Sequence, residues 1–172
     1  MTARPFDQSS PSRLVAEPLT AAGFAPFGDV LAPPAQPGRA YFNEALCNGR
    51  ATAQPSLWLS HIEPKPVGPL AAVVMERHEH SSQSFIALEA GRWLVVVAPH
   101  GPEGGPDMAN ARAFVCGPHQ GITYRADVWH HPLTVLDAPA TFAVFMWRDG
   151  SSGDEEFVDI APVPVETEGI LP

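Results

Sequence analysis

Twenty prolines and fourteen glycines are scattered through 172 residues, and this punctuation leaves little room for a long helix. Proline lacks a backbone N–H, clashes with the preceding turn and pushes the residue before it toward extended geometry. Between the breaks stand short apolar runs: "SFIAL" (84–88), "GRWLVVVAP" (91–99), "RAFVCG" (112–117), "GITYRA" (121–126), "PLTVL" (132–136) and "TFAVFMW" (141–147). Short strands at intervals of roughly 8–12 residues predict a sandwich or barrel. The stretch "PLTVLDAPATFAVFMW" predicts a hairpin turning at Asp137–Ala140. Two helices fit between breaks, one capped by Thr20 through "AAGFAPFG" and one capped by Asp107 through "MANARAF". The expectation is a single all-β domain over 1–172 with one or two short helices, and extended arms at 1–12 and 158–172.

Charge narrows the partners. The net charge is −9, and Lys65 is the single lysine beside nine arginines spread along the chain. Without a clustered basic face there is no footprint for nucleic acid. One inward-facing arginine could still clamp a small anion. The apolar run "WLVVVA" (93–98) is far shorter than the roughly 20 residues of a membrane span. Cys47 and Cys116 lack a metal or redox spacing and read as free thiols of a reducing compartment. "MTARPFDQSSPSRL" has no apolar core before a cleavage site, so a cytoplasmic protein is expected.

Five of the seven histidines fall in two polar stretches set against strand-like runs. The first, "MERHEHSSQSFIAL" (75–88), carries Glu76, Arg77, His78, Glu79, His80 and Gln83. Side chains alternate across a strand, so Glu76, His78 and His80 would share one face, with Arg77 and Glu79 on the other. The second, "GPHQGITYRADVWHHPL" (117–133), carries His119, Tyr124, Arg125, Trp129, His130 and His131. Of the adjacent pair His130 and His131, an extended backbone turns only one inward. Histidine changes charge near neutral pH and ligates metals, so two such stretches facing one cavity predict a polar site. Trp129 reads as packing, and Ser81, Ser82 and Ser84 as turn or strand-edge groups.

His78-x-His80 followed by Gln83 and Gly91, with Pro118, Gly121 and Tyr124 further on, resembles the two cupin motifs, Tyr124 standing where the second has its third His. A closer resemblance runs through "PLTAAGFAPFGDVL" (18–31), "MERHEHSSQSFIAL" (75–88), "RWLVVVAPHG" (92–101) and "PDMANARAFVCGPHQGITYRADVWHHPL" (106–133). In order and spacing these stretches are similar to the ureidoglycolate lyase family over roughly residues 14–160. The resemblance implies a cupin-like β-barrel, a homodimer and a carbon–nitrogen (amidine) lyase of allantoin and purine catabolism. Such enzymes split ureidoglycolate into glyoxylate and urea. Two departures stand out: His80 replaces an apolar residue, and "FMWRDGSSGDEEF" (145–157) replaces an Asp-Arg-Gly-Gly-like stretch, which displaces Arg148.

Ureidoglycolate carries a hydroxyl, a ureido nitrogen and a carboxylate on one carbon. Its cleavage needs a base for the hydroxyl proton and an acid for the departing nitrogen, with no nucleophile and no redox cofactor. The candidates are His78 and His130 for acid–base work, with Tyr124 and Gln83 hydrogen-bonding the substrate. Arg77 is the candidate carboxylate partner, provided a bulge or strand end turns it inward. A divalent metal held by His78, His80 and Gln83 is a further expectation. The family resemblance leans to nickel, while histidine ligands also suit zinc or iron. The alternatives are a non-catalytic cupin-like sensor of a small hydroxy or oxo acid, and a metal-dependent cupin enzyme acting on another small acid.

Overall fold

The structure is a computed structural model that describes residues 11–64 and 69–169. The chain enters through β1 (Leu14–Val15) and β2 (Glu17–Pro18), then a one-turn helix α1 (Ala21–Phe24) and β3 (Gly28–Leu31). A long excursion leads to β4 (Gln54–Ile62), β5 (Ala71–His78), β6 (Gln83–Glu89) and β7 (Trp93–Ala98). After a single 3₁₀ turn at Met108–Asn110 come β8 (Arg112–Cys116), β9 (Gly121–Tyr124), β10 (Trp129–His130) and β11 (Thr134–Val135). The last two strands are β12 (Ala140–Arg148) and β13 (Glu155–Glu166).

These strands form two sheets. The larger runs β1-β13-β5-β10-β7-β8-β2, with β11 also pairing β7, and the smaller runs β3-β9-β6-β12-β4. The all-β class expected from the punctuation is what forms. The main core lies between the sheets, joining Trp93, Val95, Val97 and Phe114 of one to Phe85, Ile122, Phe142 and Val144 of the other. A second cluster, with Leu94, Val96, Val115 and Trp129, covers the reverse face of the larger sheet. That explains the unbroken apolar run of β7: its odd residues enter one core and its even residues the other. β12 instead alternates, with Phe142, Val144 and Met146 buried and Thr141, Ala143 and Phe145 only half so.

Thr20 caps α1 as expected, its side chain accepting from the Gly23 amide at 3.1 Å. The second helix does not form. Asp107 accepts from the Ala109 amide at 3.1 Å, but the turn stops at Asn110 and the β-prone residues after it join β8. The predicted hairpin is also replaced. β11 pairs with β7 in the larger sheet, while β12 pairs with β4 and β6 in the smaller. Asp137 makes this crossing by turning back to Arg92, accepting from its amide and its guanidinium at 2.8–3.0 Å. Residues 158–166, expected as an arm, lie in β13, where pairing with β5 and β1 satisfies their backbone. Of the N-terminal arm, residues 1–10 lie outside the described part. Among the described residues no helix is long and apolar enough to cross a membrane.

Candidate active site

Five polar side chains meet at one end of the space between the sheets. β5 contributes Glu76 and His78 by strict alternation, and β10 places His130 directly across from Glu76 in the antiparallel ladder. From the smaller sheet, the register sets Gln83 against Tyr124 on one side and Met146 on the other. Gly28 allows this: a Cβ there would lie 1.7 Å from the Thr123 carbonyl oxygen, so only glycine lets β3 sit beside the residue that precedes Tyr124.

The rings form a stack. Tyr124 lies on His130 with centroids 4.1 Å apart and planes 18° apart, and His78 stands 5.7 Å from His130 at 45°. His130 Nδ1 donates to the Val128 carbonyl at 2.9 Å, which directs Nε2 toward Glu76. Glu76 Oε1 lies 3.3 Å from that Nε2, within ion-pair distance but off line for a hydrogen bond. Both ring nitrogens of His78 and Oε1 of Gln83 are buried without a hydrogen-bond partner. Gln83 Nε2 has a weak contact of 3.7 Å to the Met146 sulfur. Unpaired buried polar atoms are costly, so a cluster of them marks a place prepared for something else to bind.

Charge states follow from this setting. Burial, and after it the charge of neighbouring His130, holds the His78 pKa below its ordinary value, keeping the ring neutral. Burial pushes the Tyr124 phenol well above its usual range, so it stays a hydrogen-bond donor. For Glu76 burial acts upward, but His130 and then His78 and His131 outweigh it, and the carboxyl titrates below its ordinary value. The cluster therefore holds a neutral imidazole, a protonated phenol and a carboxylate beside a second imidazole.

His78, His130, Tyr124 and Gln83 are thus brought together as the sequence suggested, and Glu76 joins them. Arg77 is not. No bulge interrupts β5 between Val74 and His78, so alternation carries Arg77 to the reverse face. There its guanidinium binds Asp127 at 2.5 Å and Glu156 at 2.6 Å and lies 4.9 Å over the Trp129 ring. Trp129 is wholly buried in the second cluster, as a packing residue should be. Nor does alternation deliver His80. β5 ends at His78, and His80 sits in the following bend with its amide held by Asp154 Oδ1 at 2.7 Å. His119 is exposed on a turn, and Arg148 ends β12 with its guanidinium 5.7 Å from the Trp58 ring.

For a metal, the side-chain donors at this place that lack hydrogen-bond partners are the His78 imidazole, His130 Nε2 and Gln83 Oε1. The expected third donor, His80, lies beyond the strand end. Among the described residues no three His, Cys, Asp or Glu side chains gather so as to hold an ion. The expected set of His78, His80 and Gln83 is therefore not assembled here and does not fit an ion. Glu76, which alternation places on the face of His78 but to which the sequence assigns no role, becomes part of the site through its position across from His130.

The family model described as ureidoglycolate lyase matches residues 11–167. A ureidoglycolate lyase of Burkholderia cepacia is 40% identical over 144 residues, 74% of this chain and 76% of that one. Another from Pseudomonas syringae pv. tomato is 36% identical over 162 residues, 85% of this chain and 90% of that one. Among solved structures, a dTDP sugar isomerase from Desulfovibrio desulfuricans G20 covers 77% of this chain and 82% of its own at 17% identity, with a TM-score of 0.47. That last likeness is too distant to bear on the chemistry.

Proposed function

The chain belongs to the ureidoglycolate lyase family, and from that premise we propose that it cleaves ureidoglycolate to glyoxylate and urea by acid–base elimination between its two sheets. The observation that carries the mechanism is the meeting of Glu76, His78, Gln83, Tyr124 and His130 around buried nitrogens and an oxygen that lack partners. His78 is the base: its neutral ring takes the hydroxyl proton. As the oxygen collapses to a carbonyl, the carbon–nitrogen bond breaks and its electron pair goes to the ureido nitrogen. The His130–Glu76 pair enters the step carrying a proton on His130 Nε2 and gives it to that nitrogen, so one proton leaves the substrate to His78 and one returns. Two imidazoles in different surroundings can thus divide the acid and base roles.

Tyr124 donates a hydrogen bond to the oxygen on which charge develops. Gln83 offers its amide to the ureido group, Oε1 accepting from N–H and Nε2 donating to C=O, a match of like functional groups. Arg77, tied to two carboxylates on the far face, has no part in holding the substrate carboxylate. The test is to incubate the pure protein with racemic ureidoglycolate and follow glyoxylate, with and without added divalent ions. Release above the spontaneous rate, without oxygen uptake, supports the reading. The spontaneous rate alone in every arm overturns it.

The same proposal includes a homodimer formed on the outer face of the smaller sheet. There Leu57 and Leu59 of β4 are 69% and 66% exposed, and Ile86 and Leu88 of β6 are exposed beside them. The register joins Leu57 to Phe145 and Leu59 to Ala143, which in turn meets Ile86, so these side chains make one continuous apolar face at an edge strand. Light scattering at assay concentration should give twice the 18.4 kDa chain, and the mass of a single chain refutes the dimer.

A further inference from the structure

The ring of His78 makes no hydrogen bond, so nothing polar aims it. Its direction comes from the backbone where β5 ends. Gln83 stands in the same position at the start of β6, and the four residues between, 79–82, form no strand. What holds this turn is a buried ionic tether from another part of the chain. Asp154, 4% exposed and just ahead of β13, accepts from the His80 amide through Oδ1 at 2.7 Å. Its Oδ2 accepts from the Ser81 hydroxyl and, at 3.0 Å, from Arg50 Nη2. Arg50 also donates to the Trp147 carbonyl at 3.0 Å and to Asp149 at 2.9 Å. Trp147 directly follows Met146, whose sulfur contacts Gln83.

We infer that Asp154, acting with Arg50 and Ser81, is a positioning residue for the reaction proposed above, holding the 79–82 turn so that His78 and Gln83 keep their aim. It touches neither side chain's reacting atoms. Buried ion pairs add little net stability, because desolvation offsets the attraction, but charge-assisted hydrogen bonds are directional. A fixed turn is what such a pair supplies here. Neutral bonds also reach the turn: the Cys47 amide donates to the Ser82 hydroxyl at 2.9 Å, the Ser82 amide to the Cys47 carbonyl and the Gly49 amide to the His80 carbonyl, and the Ser81 hydroxyl lies 3.1 Å from the Trp147 carbonyl. The role rests on the lyase reading, and the test separates the two.

The experiment compares wild type, Asp154→Ala, Asp154→Asn and Ser81→Ala for kcat and KM of glyoxylate release, thermal midpoint and amide exchange over 79–83. Asp154→Ala should lower kcat by about 10–100-fold with KM within about threefold, as loss of a supporting partner does. Exchange over 79–83 should quicken while β7 stays protected. Asp154→Asn keeps an oxygen for the His80 amide and should recover part of both, with Ser81→Ala milder in the same direction. A folded Asp154→Ala with wild-type kcat overturns the inference, as does a loss of kcat without faster exchange over the turn. If Asp154→Ala does not fold, Asp154→Asn and Ser81→Ala decide by the same two readouts. A wild type that releases no glyoxylate overturns the lyase reading instead, and the exchange comparison still supports or overturns the tether.

Discussion

Replacing His78 by leucine should separate rate from stability. The imidazole is buried at 6% exposure, and neither nitrogen has a hydrogen-bond partner. In the free protein each such atom is a burden of about 1–3 kcal/mol, and an apolar group of similar shape removes that burden without opening a large cavity. His78→Leu should therefore leave unfolding free energy unchanged or raise it by about 1–2 kcal/mol. The rate should move the other way. A general base is worth about 10²–10⁴-fold, or roughly 3–5 kcal/mol of barrier at 1.36 kcal/mol per decade. The control is the same change two residues on. The His80 ring lies past the end of β5, half-buried, while its amide makes the structural contact, so His80→Leu should keep most of the turnover. Glyoxylate release gives the rates and urea denaturation the stabilities. A folded His78→Leu that loses less than about tenfold in kcat would refute the base assignment, since even weak acid–base help exceeds that. If His80→Leu falls as far as His78→Leu, the turn residue is a ligand or catalyst after all.

Tyr124→Phe keeps the ring stacked on His130 and deletes only the hydroxyl, so kcat should fall about 10–100-fold with little change in thermal midpoint; an unchanged kcat removes the phenol from the mechanism. The lowered pKa of His78 keeps the base neutral as pH drops past its ordinary 6.5, so the acid limb of the kcat/KM profile, which reports the free enzyme, should lie below pH 6.5, and a midpoint above it contradicts the assignment. Arg77→Lys breaks the fork between Asp127 and Glu156 but should leave KM within about threefold, and a tenfold rise would reinstate a carboxylate clamp.

Local chemistry made much of this protein legible. The density of Pro and Gly left no room for long helices, and the apolar runs between the breaks suited strands, so the all-β class followed. The Thr20 cap was readable because a cap and its helix lie within one turn of chain. Gln83, Tyr124, His78 and His130 were visible as polar residues set against strand-like runs, a conflict that patterning resolves by a site. Period two also paired Glu76 with His78, although only the ladder to His130 turned that pairing into a carboxylate–imidazole dyad.

Tertiary structure decided where the alternation stops and which distant strands close around it. β5 ends at His78 because Asp154, far along the chain, takes the His80 amide, and this separates two histidines that spacing alone would have joined. Arg77 faces away because β13 pairs with β5 without a bulge there, a property of a partner strand that the "ERH" stretch cannot encode. The "PLTVL" and "TFAVFMW" runs went to different sheets, the first pairing with β7 over two residues and the second lying between β4 and β6. Backbone periodicity depends on neighbours in sequence and can be read there. Register, strand ends and ion pairs depend on groups brought close only when the whole chain has folded, and they settled which polar side chains became the site.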